Sequence, residues 1–219
     1  MCGKKRALLF ANGEAEPLDW LKSLVCQQDF VIAVDGGYRY TLAAGRMPDI
    51  LVGDLDSVSP DDLRQVEQAG IEVVRYPQKK DETDLELALQ LAIARGFKKL
   101  FVVGALGGRL DQTLANLFLL ANPAFEGCEI RYLNHSEEVF LITGSVVLQG
   151  AEGDRVSLIP LGETVHGVCT QGLEYPLNGE NLHPESTRGV SNVMLSDEAH
   201  ISIRNGRLLC FHTRLDAPG

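Results

Sequence analysis

The sequence lacks any run of about 18 apolar residues, so it predicts no membrane-spanning helix. Its five cysteines are odd in number, scattered and without a C-x-x-C spacing. This pattern argues against a disulfide framework or a zinc site and indicates reduced, mostly buried thiols in a cytoplasmic protein. The beginning, MCGKKRALLF, is basic, but its apolar stretch is short and breaks at Asn12 and Gly13, so we expect no signal peptide.

Positive charge is in deficit, with 20 lysines and arginines against 30 acidic residues and a net charge of −10. Such a chain is a poor partner for a nucleic-acid backbone. A nucleotide substrate stays open, because a divalent metal can mediate between acidic side chains and phosphates. The acidic field also mildly favours a cationic second substrate, although solubility alone would account for the acidity.

Up to about residue 135, short apolar runs alternate with helical patterns. Continuous apolar runs of this length are typical of strands that are buried on both faces of a sheet. The predicted strands are residues 7–11, 30–34, 50–52, 71–76, 100–103 and 130–133.

Helix signals stand between these runs. Ser59 precedes a proline and reads as an N-cap, and Thr83 with Glu86 three residues later forms a capping-box pattern. Gly96 ends that second helix, and a further helix is predicted near residues 114–120. Alternation of strands and helices predicts an α/β, Rossmann-like domain with a mostly parallel sheet covered by helices.

After about Ser136 the helical periodicity disappears, and turn residues separate short strand-like runs. This texture predicts an antiparallel β-sandwich, so we predict two domains, residues 1–135 and 136–219. Asn205-Gly206 between two runs predicts a two-residue hairpin, and the polar stretch 178–189 reads as a loop. The predicted strands are residues 139–143, 145–148, 155–160, 165–170, 190–195, 199–204 and 208–213.

Aspartates and glycines follow four strands of the predicted parallel sheet, at the end where ligands bind in open α/β folds. Each segment has an ordinary alternative: a tight turn, a solvated acidic turn, compensation of a helix dipole, or a glycine-containing strand–helix turn. The chain has neither a Walker A loop nor G-x-G-x-x-G. The segments are Asp35-Gly36-Gly37, Gly53-Asp54-Leu55-Asp56-Ser57, Lys79-Lys80-Asp81-Glu82-Thr83-Asp84 and Gly104-Ala105-Leu106-Gly107-Gly108-Arg109-Leu110-Asp111.

Together these loops bring many like charges to one end of one sheet. Asp54 and Asp56 can converge if the chain between them is extended, and they would then repel each other unless a cation lies between them. Gly107 and Gly108 before a helix can wrap a phosphate, and the guanidinium of Arg109 suits phosphate oxygens. Magnesium binds through one or two carboxylates plus substrate phosphates, so the loops indicate metal-assisted phosphoryl chemistry.

The same segments resemble the thiamine pyrophosphokinase family, in order and spacing across nearly the whole chain. Two segments of the second half also match the family's pattern. The matching segments are Asp35-Gly36-Gly37, Gly53-Asp54-Leu55-Asp56-Ser57, Asp81-Glu82-Thr83-Asp84, Gly107-Gly108-Arg109-Leu110-Asp111-Gln112, Gly172-Leu173-Glu174-Tyr175 and Ser191-Asn192.

The resemblance implies an α/β ATP-binding catalytic domain, a β-sandwich thiamine-binding and dimerisation domain, and a homodimer with active sites at the subunit interface. It implies transfer of the β,γ-pyrophosphoryl group of ATP to the thiamine hydroxyl with Mg²⁺, giving thiamine diphosphate and AMP. It assigns catalysis to Asp54, Asp56, Asp81, Asp84 and Asp111, with the metal on Asp54, Asp56 and Asp81. It assigns ATP to Asp35, Gly36, Gly37, Ser57, Gly107, Gly108 and Arg109, and thiamine to Thr83, Asp84, Tyr175, Ser191 and Asn192.

The sequence departs from the family at Tyr175, where many members have a tryptophan that is expected to stack on thiamine. Tyrosine can still make a cation–π contact, generally a weaker one, or be an ordinary residue at the rim of the sandwich. Gln112 stands where bacterial relatives often have histidine. Two alternatives stay open: a pyrophosphokinase for another alcohol, such as a hydroxymethyl pterin, and a non-catalytic nucleotide-binding regulator.

Overall fold

The computed structural model describes residues 6–15 and 17–215. This part of the chain forms two compact units, and the boundary in the sequence falls between His135 and Ser136. Cys2 lies outside the described residues. Of the four cysteines within them, only Cys210 is buried, Cys26 and Cys128 are half-buried, and Cys169 is exposed. The expectation of mostly buried thiols is therefore wrong, because Cys169 lies on an outward-facing position of its strand.

The first unit contains a six-stranded parallel sheet in the order β6-β5-β1-β2-β3-β4. All six apolar runs form strands, with ends shifted by at most one residue, so the predicted parallel sheet is confirmed. The strands are β1 (Ala7–Phe10), β2 (Phe30–Val34), β3 (Ile50–Gly53), β4 (Glu72–Arg75), β5 (Lys99–Val103) and β6 (Glu129–Leu133).

Helices follow the strands, and their starts agree with the capping signals. The Ser59 hydroxyl accepts a hydrogen bond from Asp62 N, and the Thr83 hydroxyl accepts one from Glu86 N. The Glu86 carboxylate accepts from Gln90 and from Asn122. The helices are α1 (Leu21–Leu24), α2 (Tyr38–Ala43), α3 (Pro60–Gln68), α4 (Asp84–Ala94) and α5 (Leu110–Leu119).

Helix α5 begins earlier than the predicted start at residue 114, because it follows directly on the turn at Gly107 and Gly108. Strands β1 and β3 are buried along their whole length. Helices α1 and α2 pack on β1 and β2 through a cluster that includes Phe10, Val31 and Leu21. In the described residues α4 is the longest helix, with 11 residues, and no helix there has the length and apolarity to cross a bilayer.

The second unit is a sandwich of two antiparallel layers, ordered β12-β9-β14-β7 and β11-β10-β13-β8. Alternate residues of both layers, such as Leu158 and Ile201, form one buried cluster, and the predicted antiparallel sandwich is confirmed. The strands are β7 (Glu137–Ile142), β8 (Ser145–Gln149), β9 (Arg155–Pro160), β10 (Val165–Gln171), β11 (Asn178–Leu182), β12 (Asn192–Val193), β13 (Glu198–Ser202) and β14 (Leu208–Thr213).

The predicted loop and the predicted hairpin of this unit need correction. Of the predicted loop 178–189, residues 178–182 form the edge strand β11, because an edge strand needs only one residue, Leu182, to reach the core, while residues 183–189 contain no helix or strand. Asn205-Gly206 does not close a hairpin, because β13 and β14 belong to different layers. Asn205 instead bridges to His166, and Gly206 with φ +111° lets the chain pass Val165 as it crosses between the layers.

Candidate functional site

A cavity of about 550 Å³ opens at the carboxyl ends of the parallel strands in the first unit. We call it the carboxyl-end cavity. Eight of the predicted site residues line it: Asp35, Asp54, Asp56, Ser57, Thr83, Asp84, Gly107 and Arg109. Gly36, Gly37, Asp81, Gly108 and Asp111 are not among its lining residues. The strand ends thus bring together most of the predicted residues, as the rule for open α/β sheets requires.

Three carboxylates converge in this cavity. Asp35, Asp54 and Asp56 each present an oxygen, and the three oxygens lie within 4.8 Å of one another. Asp35 is buried, and its Oδ1 has no hydrogen-bond partner among the described residues. Burial raises the pKa of Asp35, and the charge of Asp56 adds to this effect, while hydrogen bonds from Ser57 and from Gly36 N lower it. A buried, unpaired carboxylate oxygen beside two further carboxylates is the environment that a divalent cation stabilises.

The sharp turn after β2 explains the two glycines there. A Cβ on Gly37 would lie 1.8 Å from the carbonyl oxygen of Phe10, so the backbone segments can approach only if this residue is glycine. The positive φ falls on Asp35 instead, at +49°. Gly37 therefore serves a close approach of backbone, whereas a Cβ on Gly36 would lie 2.3 Å from Oδ1 of the Asn12 side chain. The strained residue is the aspartate that enters the cluster.

The sequence suggested that an extended chain brings Asp54 and Asp56 together, but the loop after β3 is not extended between them. Leu55 lies between the two aspartates with φ +67°, in the left-handed region. Its side chain is buried with Ala33 and Val66, while Asp56 N donates a hydrogen bond to Asp54 Oδ1 at 3.1 Å. Packing of Leu55 into the core thus holds both carboxylates on the cavity side.

The loop between β4 and α4 adds two acids, Glu82 and Asp84, and one base, Lys80, to the cavity lining. Thr83 caps α4, which places Asp84 in its first turn with a side chain that is 25% exposed. Lys80 Nζ lies 3.1 Å from Asp84 Oδ1 and 4.0 Å from Asp54 Oδ2. Asp81 is exposed and is not a member of the three-carboxylate cluster.

The loop between β5 and α5 turns through glycines with φ +85° at Gly107 and +66° at Gly108. Arg109 makes a two-pronged ion pair with Asp111, with Nη2 2.6 Å from Oδ2 and Nε 3.2 Å from Oδ1. The hydrogen bond from Arg109, together with one from Gln112 N, lowers the pKa of Asp111. Both side chains are exposed, so a phosphate that binds Arg109 would compete with Asp111 in water.

Sequence reasoning missed the loop after β1. Asn12 and Gly13 line the cavity, and Gly13 N donates to Gly104 O at 3.0 Å, which joins this loop to the one after β5. The strand order reverses between β1 and β5, and ligands in such folds bind at this reversal. The position of Asn12 directly after a predicted strand was the available signal. The sequence pattern also assigns no role to Lys80, which lines the cavity.

The second unit brings together the two segments that the sequence had singled out. Asn192 is buried, and its amide accepts a hydrogen bond from Tyr175 N at 3.0 Å and donates one to Tyr175 O at 2.8 Å. Tyr175 itself is 55% exposed. Ser191 is exposed with φ +58°, and its N–H donates to Ser157 Oγ. Only Asn192–Val193 of the predicted strand 190–195 is a strand.

Family models match both units. The model described as "Thiamin pyrophosphokinase, catalytic domain" matches residues 21–132, and the one described as "Thiamin pyrophosphokinase, vitamin B1 binding domain" matches residues 145–208. A thiamine pyrophosphokinase of Bacillus subtilis is 31% identical over 203 residues, which are 92% of this chain and 95% of the relative.

Solved structures agree with the sequence relatives. The crystal structure of thiamine pyrophosphokinase from Bacillus subtilis matches with a TM-score of 0.85 and 27% identity, covering 96% of this chain and 99% of that one. The thiamin pyrophosphokinase structure from Geobacillus thermodenitrificans matches with a TM-score of 0.84 and 27% identity, covering 97% and 99%. The resemblance predicted from the motifs is confirmed: this chain belongs to the thiamine pyrophosphokinase family.

Proposed function

We propose that this protein transfers the pyrophosphoryl group of ATP to the hydroxyl of thiamine, giving thiamine diphosphate and AMP. The observation that carries the proposal is the convergence of Asp35, Asp54 and Asp56 in the cavity of a family member. The match to a vitamin B1 binding domain over residues 145–208 supports thiamine as the acceptor.

The donor set fits magnesium. Three carboxylates are hard oxygen ligands, and the unpaired Oδ1 of Asp35 lacks the hydrogen bond that would otherwise offset its burial. We propose that Asp54 and Asp56 hold the ion together with Asp35, and that Asp81, in the loop after β4, is a further ligand. When bound, the ion would neutralise charge on the phosphates of ATP.

The proposed reaction is an in-line displacement. The thiamine hydroxyl oxygen forms a bond to the β-phosphorus, the bond from that phosphorus to the bridging oxygen of the α-phosphate breaks, and AMP leaves with the electron pair. Asp84, next to the cluster in the first turn of α4, is suited to orient the hydroxyl and to receive its proton. Thr83 fixes that turn through its cap. Positioning and charge neutralisation supply most of the rate in such transfers.

The nucleotide is proposed to lie along the glycine loops. The turn at Gly107 and Gly108 and the guanidinium of Arg109 are suited to phosphate oxygens, and exchange of Asp111 for phosphate would free the guanidinium. We propose that Asp111, which does not line the cavity, acts by holding Arg109 until the phosphate binds. On the other side of the cavity, ATP would contact the turn Asp35-Gly36-Gly37 and the hydroxyl of Ser57, which lines the cavity.

Thiamine recognition is proposed for the second unit. The exposed ring of Tyr175 can make a cation–π contact with the thiazolium, and the exposed Ser191 can offer its hydroxyl. Asn192 is committed by two hydrogen bonds to the backbone of Tyr175, so we propose that it positions this residue as well as the neighbouring serine.

We further propose that residues 1–135 form the ATP-binding catalytic domain and that residues 136–219 form the thiamine-binding and dimerisation domain. The working form is proposed to be a cytoplasmic homodimer with active sites at the subunit interface. Free thiols within the described residues support the location, and an exposed apolar stripe on α5 supports the dimer.

The test is formation of AMP from ATP and Mg²⁺ that depends on thiamine. Asp54→Asn or Asp56→Asn should lower kcat by about 100- to 1,000-fold, because charge neutralisation at the phosphates is lost. Asp61→Asn, which removes an exposed acid of α3 outside the cavity lining, is the matched control and should leave kcat unchanged. Absence of AMP with thiamine, but its appearance with a pterin alcohol, would support the alternative substrate. ATP binding without turnover on either alcohol would support a regulator.

A further inference from the structure

Lys80 is a half-buried cation that lines the acidic cavity. Its side chain is only 11% exposed, although lysine heads are normally left in water. Nζ lies between two acids, 3.1 Å from Asp84 Oδ1 and 4.0 Å from Asp54 Oδ2, and donates to Pro77 O at 3.1 Å. Burial of an ammonium group is unfavourable unless opposite charges lie near it, and these two acids supply them.

The ammonium group of Lys80 does not use all of its hydrogen-bond donors for the contact with Pro77 O. Lysine has three N–H donors, and one of them is used by the carbonyl of Pro77. The contact with Asp84 Oδ1 is an ion pair, and that oxygen has no hydrogen-bond partner of acceptable geometry among the described residues. Lys80 is therefore held in place by charge while its hydrogens remain available to a ligand in the cavity.

Lys80 also connects the three-carboxylate cluster with the first turn of α4. Asp54 belongs to the three-carboxylate cluster, whereas Asp84 stands outside it, and Lys80 contacts both. The other cation of the cavity lining is Arg109, whose side chain is 71% exposed and already paired with Asp111. A phosphate held beside the cluster would thus meet Lys80, a cation that is already in place and is less exposed to water than Arg109.

We propose that Lys80 is a further catalytic residue, which binds the oxygens of the pyrophosphoryl group while that group passes from AMP to the acceptor hydroxyl. The inference rests on the proposed function and adds a residue to it. During the transfer the β-phosphorus exchanges its bond to the α-phosphate oxygen for a bond to the acceptor oxygen, and the electron pair leaves with AMP. Lys80 forms and breaks no covalent bond; its positive charge stabilises the negative charge on the moving group.

Without substrate, the same charge has a second effect. Lys80 partly neutralises Asp54 and Asp84, so it competes with any metal ion for these acids. Removing the charge should therefore strengthen binding of Mg²⁺ alone and weaken binding of pyrophosphate. A residue that merely supports the loop would change both affinities in the same direction when it is lost.

The test measures these two affinities by calorimetry in Lys80→Met. We expect affinity for Mg²⁺ alone to rise about 10-fold, and affinity for pyrophosphate at fixed Mg²⁺ to fall about 10-fold. Lys79→Met removes the same charge from the adjacent exposed residue and is the matched control; neither affinity should change. Lys80→Arg keeps the charge and should retain most of the pyrophosphate affinity.

Activity supplies the third measurement. Lys80→Met should lower kcat about 100-fold with a smaller change in KM for thiamine, because the interaction strengthens in the transition state. A fall of both affinities, or no change in either, would overturn the proposal, and Lys80→Gln carries the same comparison if the methionine variant does not fold. If the wild-type protein forms no AMP with thiamine, the proposed function fails, but the opposed changes in affinity still decide the role of Lys80.

Discussion

Left-handed backbone at non-glycine residues is concentrated in the segments that carry the candidate site. Among the described residues, Asp35, Leu55 and Ser191 have positive φ, at +49°, +67° and +58°. This conformation is unfavourable by about 1 to 2 kcal/mol for a residue with a Cβ. Asp35 and Leu55 set the carboxylate cluster, and Ser191 precedes the residue that holds Tyr175. Strain persists at these positions because the surrounding packing fixes them.

Ser191 allows strain and function to be separated. Ser191→Gly should raise the free energy of unfolding by about 0.5 to 1 kcal/mol, because glycine adopts positive φ without penalty but loses more chain entropy on folding. The same variant should raise KM for thiamine, because the hydroxyl proposed to contact thiamine is lost. Denaturant unfolding and steady-state kinetics measure the two effects.

Ser191→Ala is the control for this pair of effects. It removes the hydroxyl and keeps the Cβ, so KM for thiamine should rise as in the glycine variant while stability stays near that of the wild type. An unchanged KM in both variants would remove Ser191 from the thiamine site. A gain in stability for alanine as large as that for glycine would contradict the assignment of strain to φ.

The sequence predicted that Asp35, Asp54, Asp56 and Asp84 lie at the carboxyl ends of strands, because their loops follow apolar runs that form strands; Asp81 and Asp111 do not line the cavity. It did not predict that Asp35 joins Asp54 and Asp56, since this grouping depends on left-handed turns at Asp35 and Leu55. Leucine rarely adopts this conformation, and aspartate adopts it more often but still in a minority of cases, so the sequence does not predict it. Lys80 was passed over for a related reason: its burial between two acids is a property of the folded loop.

At the scale of elements, α5 presents its apolar residues to the outside. Leu110, Leu114 and Phe118 recur every fourth residue, which places them on one face, and they are 81%, 54% and 51% exposed. No residue of α5 itself is buried. A helix of this kind normally buries an apolar face, so the stripe favours an interface, and the proposed partner is a second copy of the chain.

The double variant Leu114→Asp, Phe118→Asp should dissociate the proposed dimer, because two charges in an apolar interface are strongly unfavourable. Light scattering should then give the chain mass of 23.9 kDa instead of twice that value. Leu42→Asp places the same charge on an exposed leucine of α2 and should leave the mass unchanged. A wild-type protein of single-chain mass would refute the dimer, and an undissociated variant would refute α5 as its interface.

Strands with a clear local pattern of apolar residues were predicted, whereas strands and turns that depend on pairing with residues distant in the sequence were not. The six strands of the first unit follow from continuous apolar runs, since burial on both faces leaves a clear signal. Strand β11 has one buried side chain, and its pairing with β10 decides its structure. The turn at Asn205-Gly206 has the local signal of a hairpin, but β13 pairs with β8 in one layer and β14 pairs with β7 in the other, so the two strands do not pair with each other.

At the scale of the whole molecule, a buried triad of side chains, His212, Glu138 and Asp154, connects distant parts of the second unit. His212 Nδ1 lies 3.1 Å from Glu138 Oε1, and its Nε2 lies 2.9 Å from Asp154 Oδ2. Arg214 Nη2 lies 3.6 Å from the same oxygen of Glu138. Each ring nitrogen of His212 thus faces one carboxylate, and both contacts are buried. No local pattern reveals this triad, because its members are far apart in the sequence.

Asp154 should make the stability of the protein depend on acid pH. Burial raises its pKa, but hydrogen bonds from His212, Leu215 N and Ala151 N outweigh burial and lower it below the ordinary value of 3.8. A group with a lowered folded pKa stabilises the fold above its unfolded pKa, and this contribution is lost as the pH falls through the folded value.

Asp154→Asn should therefore lower the free energy of unfolding at neutral pH by about 3 kcal/mol, because it removes one partner of a buried ion pair. The gap between variant and wild type should close as the pH falls below 3.8, where the wild-type carboxyl also becomes neutral. Urea unfolding at a series of pH values measures the gap, and Asp197→Asn, at an exposed acid of the same unit, should show none. A gap that stays constant down to the most acidic pH would mean that Asp154 acts through its shape and hydrogen bonds, and that its charge adds nothing to the stability of the fold.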